Sequence, residues 1–202
     1  AIMTRLDDNV GRVLDYLEET GRAEDTLLFF ISDNGGPTGV VEPDGSLAFG
    51  QTTSKNDPLR GVKGQLYEGG VRVPYLLQWP AAVDAGQTID TPVITLDVLP
   101  TIAQAAGGGL AETFPADGLS LLPLVRDGDM EERALYFRWM GQKAVRDGDW
   151  KFVQMPNGEP ELYNLAEDIS ESNNLAAEEP EILSRLRTQW SAWNAKNHRP
   201  MW

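Results

Sequence analysis

The apolar positions at the start of the chain predict a helix that leads into a buried strand. Residues 26–32, TLLFFIS, are almost continuously apolar, which is typical of a strand covered on both faces in a parallel sheet. A helix that leads into such a strand is an α/β unit. Because this helix has no recognisable start, we expect the chain to be cut from a longer one. The apolar stripe consists of Leu6, Val10, Val13, Leu14 and Leu17, and Gly21 follows as a candidate cap.

The pattern up to about residue 130 continues this alternation of strands and helices. Residues 74–79, PYLLQW, predict a second buried strand. Residues 95–109 predict a helix with Asp97 as a candidate N-cap. Residues 35–58 are polar and without period, and loops of this length inside a domain are usually functional or mobile.

From about residue 133 the pattern changes to short strand-like segments that predict an antiparallel sheet. Residues 178–197 then carry one apolar face, which predicts a final helix. The fold class that we expect is α/β: part of a sheet flanked by helices, followed by a small antiparallel sheet with a C-terminal helix. We place the first part at 1–130 and the second at 131–202.

Composition excludes several classes of function. A net charge of −14, from 31 acidic and 17 basic residues, would repel a nucleic-acid backbone, so we expect no nucleic-acid partner. The absence of cysteine excludes a disulfide framework, a thiolate metal site and a cysteine nucleophile. No apolar run is long enough for a membrane span. The compartment stays open.

Asp33 and Asn34 follow directly after the first predicted strand, where ligands bind in open α/β sheets. A carboxylate and an amide carbonyl are hard oxygen donors of the kind that Ca²⁺ or Mg²⁺ takes. Asp-Asn-Gly is also ordinary turn chemistry. These residues alone leave both interpretations open.

A second segment, residues 58–80, places three cations among glycines. Cations beside flexible backbone suit a tetrahedral oxyanion. For Arg60 and Arg72 we favour structural ion pairs with carboxylates such as Asp57 or Glu68. For Lys63 the functional and structural interpretations stay open.

The order of these motifs resembles the second half of a sulfatase. SDNGG is followed by PLRGVKGQLYEGGVRVPYLLQWP, and the likeness continues through VITLDVLPTIAQAAG, DGLSLLPLV, AVRDGDWKFV and ELYNLAEDISESNNLA. The last two are similar to the family's C-terminal subdomain. The likeness covers essentially the whole chain, and the ordered series is far more specific than any single motif.

The resemblance to this arylsulfatase-like family implies an alkaline-phosphatase-like fold and hydrolysis of sulfate esters with a divalent cation, usually Ca²⁺. It implies that Asp33 and Asn34 help to bind the metal and that Lys63 contacts the sulfate as a catalytic and substrate-binding residue. The expected partner of the full-length parent is a sulfated small molecule or glycan. A periplasmic or secreted parent is expected on the same ground.

Other parts of the family's site do not occur in this sequence. The formylglycine nucleophile of sulfatases arises within a C/S-x-P-x-R motif, and the 202 residues contain none. We interpret Asp7 and Asp8 as a solvated helix face rather than the family's upstream metal ligands, and His198, the only histidine, as a residue of an exposed tail. We therefore expect this chain alone to be inactive, and its uncovered apolar edges to favour self-association.

Two alternatives remain at this point. A phosphatase or phosphodiesterase of the same superfamily needs similar metal and cation support. A non-catalytic module could use aromatic residues to bind carbohydrate or a partner chain. For the tryptophans we favour a core position between the C-terminal sheet and the last helix; these are Trp139, Trp150, Trp190 and Trp193.

Overall fold

The computed structural model describes residues 2–37, 40–41, 47–48, 55–110 and 116–198. Its elements, in chain order, are α1 (Ile2–Glu19), β1 (Leu28–Ile31), β2 (Val40–Val41), β3 (Leu47–Ala48), α2 (Glu68–Val71), β4 (Tyr75–Gln78), a 3₁₀ turn (Thr95–Asp97), α3 (Val98–Ala105), α4 (Leu122–Asp127), β5 (Leu135–Trp139), β6 (Gln142–Asp147), β7 (Trp150–Gln154), β8 (Glu161–Asn164) and α5 (Pro180–Lys196). The helices and strands predicted from the sequence occur in the predicted order, but β2, β3, α2 and α4 were not predicted.

The chain divides into two compact units. The first contains residues 1–30 and 75–131, and the second contains residues 31–74 and 132–202. The prediction of a catalytic part at 1–130 and a subdomain at 131–202 stays a prediction.

In the first unit, β1 pairs with β4. No described residue of α1 is buried, and its stripe residues Leu6 and Val13 are 44% and 53% exposed. Leu99 and Ile102 of α3 are each 48% exposed. Apolar surface of this extent usually marks a region that contacts other protein. Self-association stays a prediction.

Asp97 has a different role from the predicted cap of α3. It lies in the 3₁₀ turn with helical backbone angles, and its side chain makes no capping bond to α3. Its fully buried carboxylate instead accepts the backbone N–H groups of Ile94 and Leu119, each at 2.9 Å. The carboxylate therefore ties the start of the helix to the segment that precedes α4.

The second unit is built on the antiparallel sheet β5-β6-β7-β8. Its strands alternate, so neighbouring residues face opposite sides. One side packs against α5 through a buried cluster of Val145, Phe152, Leu162, Leu183, Leu186 and Trp190. The other side packs against residues 66–71 through Leu66, Tyr67, Ala144, Val153, Tyr163 and Leu165.

The tryptophans divide by their position on this sheet. Trp190 is buried against the sheet, and Trp150 and Trp193 are partly buried beside it, which confirms their predicted place. The prediction for Trp139 is wrong, because its side chain is 42% exposed. Trp139 ends β5 at the hairpin turn and shares a face with Phe137, which packs on the side of the sheet away from α5.

Candidate functional site

The loop after β1 carries the two predicted metal ligands. Asp33 is exposed and Asn34 is partly buried. The Ser32 hydroxyl donates to the Asn34 carbonyl at 2.9 Å, and Asn34 Nδ2 donates to the Gly35 carbonyl at 3.0 Å. The amide of Asn34 is thereby oriented, and its Oδ1 is left for the role of acceptor or ligand.

Backbone hydrogen bonds join this loop to the segment that carries Lys63. The Gly35 N–H donates to the Gly70 carbonyl at 3.0 Å, and the Lys63 N–H donates to the Gly36 carbonyl at 3.2 Å. The fold therefore brings the backbones of all three predicted site residues into one cluster of loops. The Lys63 side chain itself is exposed.

The side chain of Asn56 forms hydrogen bonds with both segments at the same junction. Its Oδ1 accepts the Gly36 N–H, and its Nδ2 donates to the carbonyls of Gly36 and Gly61, all at 3.0 Å. A single partly buried side chain thus links the loop of Asp33 to the turn before Lys63. No sequence pattern marks Asn56, since it lies in an aperiodic segment.

Close packing of backbone on backbone explains why glycines occur here. A Cβ on Gly35 would overlap the Gly69 carbonyl, one on Gly69 would overlap the Gly61 carbonyl, and one on Gly70 would overlap the Gln65 carbonyl. Gly35 is therefore required for contact between the two segments, and Gly69 and Gly70 for the close packing of the second segment on itself.

Polar residues on one face of the C-terminal sheet hold the segment around Lys63 in place. Arg60 donates to Glu161 Oε2 at 2.9 Å and to the Tyr163 hydroxyl at 2.6 Å. It also donates to the Glu171 carbonyl at 3.1 Å and lies 4.0 Å from the centre of the Tyr67 ring. The structural role predicted for Arg60 is confirmed, although the carboxylate is Glu161 and not Asp57.

The hydroxyls of the two tyrosines beside Arg60 donate hydrogen bonds to Glu161. Tyr67 donates to Oε1 at 2.8 Å, and Tyr163 donates to Oε2. Burial, reinforced by these bonds to the carboxylate, raises the pKa of Tyr67 and of Tyr163 well above the ordinary value. Both hydroxyls therefore keep their protons over the physiological range.

A second set of contacts is a buried ionic cluster centred on Lys151. Its ammonium lies 2.7 Å from Glu68 Oε1 and 2.9 Å from Glu171 Oε1. These three side chains are between 0% and 3% exposed. Arg72 and Arg146 each lie 3.8 Å from Glu68 Oε2, so the predicted pair of Arg72 with Glu68 is confirmed.

Burial also shapes the charges of this cluster. It raises the pKa of Glu171, against the lowering effect of Lys151, and it lowers the pKa of Arg146. Glu171 Oε2 accepts the Glu68 N–H at 2.7 Å, which fixes the first residue of α2 to the cluster. The charges here have a structural role, because they are enclosed and paired with one another.

The oxygen donors of Asp33 and Asn34 fit part of a calcium site. Ca²⁺ takes six to eight oxygen ligands, often from carboxylates and carbonyls. In the ranges that the structure describes, no group of three or more His, Asp or Glu side chains could hold a metal. The two residues are therefore compatible with an incomplete set of ligands. Asp7 and Asp8 are exposed on α1, as predicted.

Comparison with known proteins identifies the family. A model of the sulfatase family matches residues 1–108, and a model described as N-sulphoglucosamine sulphohydrolase, C-terminal, matches residues 62–196. The chain belongs to the sulfatase family. The resemblance inferred from the ordered motifs is confirmed.

Individual relatives agree with this assignment. The chain is 38% identical over 167 residues to the steryl-sulfatase of Mus musculus, covering 77% of this chain and 26% of the relative. It is 30% identical over 233 residues to a sulfatase of Formosa agariphila, covering 99% of this chain and 40% of the relative. The chain thus spans well under half the length of these relatives.

The solved structure of Ps i-CgsB in complex with k-i-k-neocarrahexaose has the same fold. It matches with a TM-score of 0.80 and 29% identity, covering 97% of this chain and 42% of the solved one. The relatives named above are sulfatases, so the comparisons do not favour the phosphatase or binding-module alternatives. None of the described helices has the length and apolar character that a membrane crossing requires.

Proposed function

We propose that this chain is the C-terminal part of an enzyme that hydrolyses sulfate esters, with a divalent cation held in part by Asp33 and Asn34. Lys63 is proposed to contact the sulfate group. The observation that carries the proposal is the hydrogen bond from the Lys63 N–H to the Gly36 carbonyl, which holds the lysine beside the loop of the two oxygen donors.

The chemistry of these residues suits a sulfate ester. Lys63 carries a compact positive charge on an exposed side chain, and this charge offsets that of the sulfuryl oxygens and holds the ester in place. When bound, Ca²⁺ would neutralise further negative charge at the same group. Asp33 and Asn34 would orient the cation through carboxylate and amide oxygens.

The nucleophile is proposed to lie outside these 202 residues, since the formylglycine motif does not occur in them. This chain alone is therefore expected to be inactive. The proposed substrate class is a sulfated small molecule or glycan. The names of the relatives support this class, because one is a steryl-sulfatase and another was solved with a carbohydrate ligand.

The test uses the complete product of the reading frame that contains this chain, with formylglycine verified by mass spectrometry. Hydrolysis of p-nitrophenyl sulfate and of a panel of sulfated oligosaccharides is compared with hydrolysis of p-nitrophenyl phosphate. We expect sulfate release that EDTA abolishes and added Ca²⁺ restores. Preference for the phosphate ester, or no release from any sulfate, would overturn the proposal.

The matched control is the 202-residue chain by itself under the same conditions. It is expected to release no sulfate. Metal-dependent turnover by this chain would contradict the proposed division of the active site.

A further inference from the structure

Gln142 is a buried polar residue on the sheet face that contacts the Lys63 segment. It is the first residue of β6, directly after a hairpin turn in which Met140 and Gly141 have φ of 43° and 82°. Gln142 is only 5% exposed. A buried amide is costly unless its oxygen and its nitrogen find partners, so its contacts indicate what it does.

The nitrogen and the oxygen of the Gln142 side-chain amide both form hydrogen bonds with the backbone beside Lys63. Nε2 donates to the Gly64 carbonyl at 2.7 Å, and Oε1 accepts the Leu66 N–H at 3.1 Å. This pattern fixes the orientation of the amide, because a flipped group would set a donor against the Leu66 N–H. The side chain therefore grips the turn immediately after the lysine.

The turn that carries Lys63 requires hydrogen bonds from outside to fix its backbone. Gly61 and Gly64 on either side of it have φ of 87° and 86°, and glycine confers little conformational restraint of its own. On one side the turn is held by the bond from the Lys63 N–H to the Gly36 carbonyl. Gln142 holds the other side from a strand 76 to 78 residues further along the chain.

We propose that Gln142 is a positioning residue for Lys63: it sets the place of the lysine ammonium by fixing the Gly64 to Leu66 backbone to the C-terminal sheet. The inference rests on the proposed function, since Lys63 is the group that it positions. Through Gln142 the C-terminal sheet then contributes to catalysis indirectly, by placing a residue that is proposed to contact the substrate.

Gln154 offers a matched control in the same sheet. Its Nε2 donates to the Gly158 carbonyl at 3.0 Å, so it also grips a glycine turn from a strand. Gly158 lies in the turn between β7 and β8, where its N–H donates to the Met155 carbonyl at 3.0 Å. Gln142→Leu removes two hydrogen bonds to the backbone beside Lys63. Gln154→Leu also removes two, one to the Gly158 carbonyl and one accepted from Lys143 Nζ at 3.4 Å, but neither involves the Lys63 segment.

The experiment measures kcat and KM for a sulfate ester in the complete gene product. Gln142→Leu is expected to lower kcat/KM about 10- to 100-fold, the effect of a displacement near 1 Å of a catalytic group. Gln154→Leu is expected to leave kcat/KM unchanged. Gln142→Met, which keeps the length of the side chain without its amide, is expected to give a similar loss and serves if Gln142→Leu does not fold.

The decisive readout is a double-mutant cycle with Lys63→Ala. If Gln142 acts through the lysine, adding Gln142→Leu to Lys63→Ala gives no further loss of kcat/KM. An equal loss in both backgrounds, or no loss when Lys63 is present, would overturn the inference while the proposed function stands. An enzyme that is unaffected by Lys63→Ala would instead overturn the proposed role of Lys63 itself.

Discussion

The amide nitrogen of Gly35 lies 3.0 Å from the carbonyl oxygen of Gly70. This one backbone bond connects the loop of Asp33 and Asn34 to α2, which the buried Lys151 cluster holds at Glu68. The predicted metal ligands therefore depend on a contact that admits no side chain at position 35.

Gly35→Ala is expected to destabilise the fold by about 3 kcal/mol or more, because the added Cβ would overlap the backbone of Gly69. Urea denaturation followed by tryptophan fluorescence measures the change. The control is Gly11→Ala in α1, where nothing lies within 4 Å of the added Cβ. That variant should gain about 0.5–1 kcal/mol of helix stability. A neutral Gly35→Ala would show that the two segments are not in this contact.

Lys63→Ala is expected to lower kcat for a sulfate ester by about 10²- to 10³-fold, as for the loss of one group that stabilises developing charge. The measurement is steady-state kinetics of the complete gene product. Lys196→Ala, at the exposed end of α5, is the control with the same loss of charge and should leave kcat unchanged. Similar losses in both variants would point to net charge rather than to contact with sulfate.

Asp33→Asn is expected to weaken Ca²⁺ binding at least about tenfold, since even partners outside the first ligand shell have effects of that size. Isothermal titration of the complete gene product with Ca²⁺ measures this without reference to activity. Asp129→Asn removes an exposed carboxylate in the loop after α4 and should leave the affinity unchanged. Unaltered binding by Asp33→Asn would remove this residue from the proposed metal site.

Lys151→Met is expected to cost about 3–5 kcal/mol, because it leaves the buried carboxylates of Glu68 and Glu171 without their common cation. Chemical denaturation provides the measurement. Lys143→Met in the neighbouring strand is the control: that ammonium is 3.4 Å from Gln154 and 5.4 Å from the Trp190 ring centre, and its loss should cost about 1 kcal/mol or less. Equal costs would contradict a central role for the cluster.

The Asp168 carboxylate should make stability depend on acid pH. Slight burial raises its pKa, but hydrogen bonds from Asn173, Ser170 and Ser172 outweigh this, so the pKa of Asp168 lies below its ordinary value. A lowered folded-state pKa gives stability that is present above the unfolded pKa and lost as pH falls through the folded one. Wild type should thus exceed Asp168→Asn in stability at neutral pH and lose that advantage as the pH falls through the lowered pKa of Asp168.

Denaturation curves from neutral pH down to pH 2 test the Asp168 prediction. The variant Ser170→Ala with Ser172→Ala removes two hydroxyl donors and keeps the backbone donors, so its pH dependence should be intermediate. A constant difference between wild type and Asp168→Asn at every pH would contradict the assigned cause.

Local patterns were enough to predict the main elements. The helical stripe of α1, the apolar run of β1 and the short alternating strands of the C-terminal sheet follow from periodicities of 3.6 and 2. Asp33, Asn34 and Lys63 could be proposed because ordered motifs surround them. Trp139 was predicted wrongly, because composition and period do not indicate which end of a strand lies at an uncovered hairpin.

Gln142 and Lys151 had weaker signals in the sequence. A lysine within the apolar stretch of β7 could have indicated a buried ion pair, but nothing local identifies Glu68 as its partner 83 residues earlier. In the sequence alone, Gln142 is an ordinary polar residue after a turn. Its function as an anchor depends on which backbone the folded chain brings against it.

The sequence by itself determined the family, the order of the elements and the chemical types at the candidate site, because these depend on local spacing and on motifs in a fixed order. Only the tertiary contacts bring the loop of Asp33 against the turn of Lys63 and place Gln142 of the C-terminal sheet on this turn. The same sheet holds the neighbouring residues Arg60 and Glu68 through Glu161 and Lys151. The physical reason is that buried polar groups must be paired, and their partners come from residues far apart in the chain.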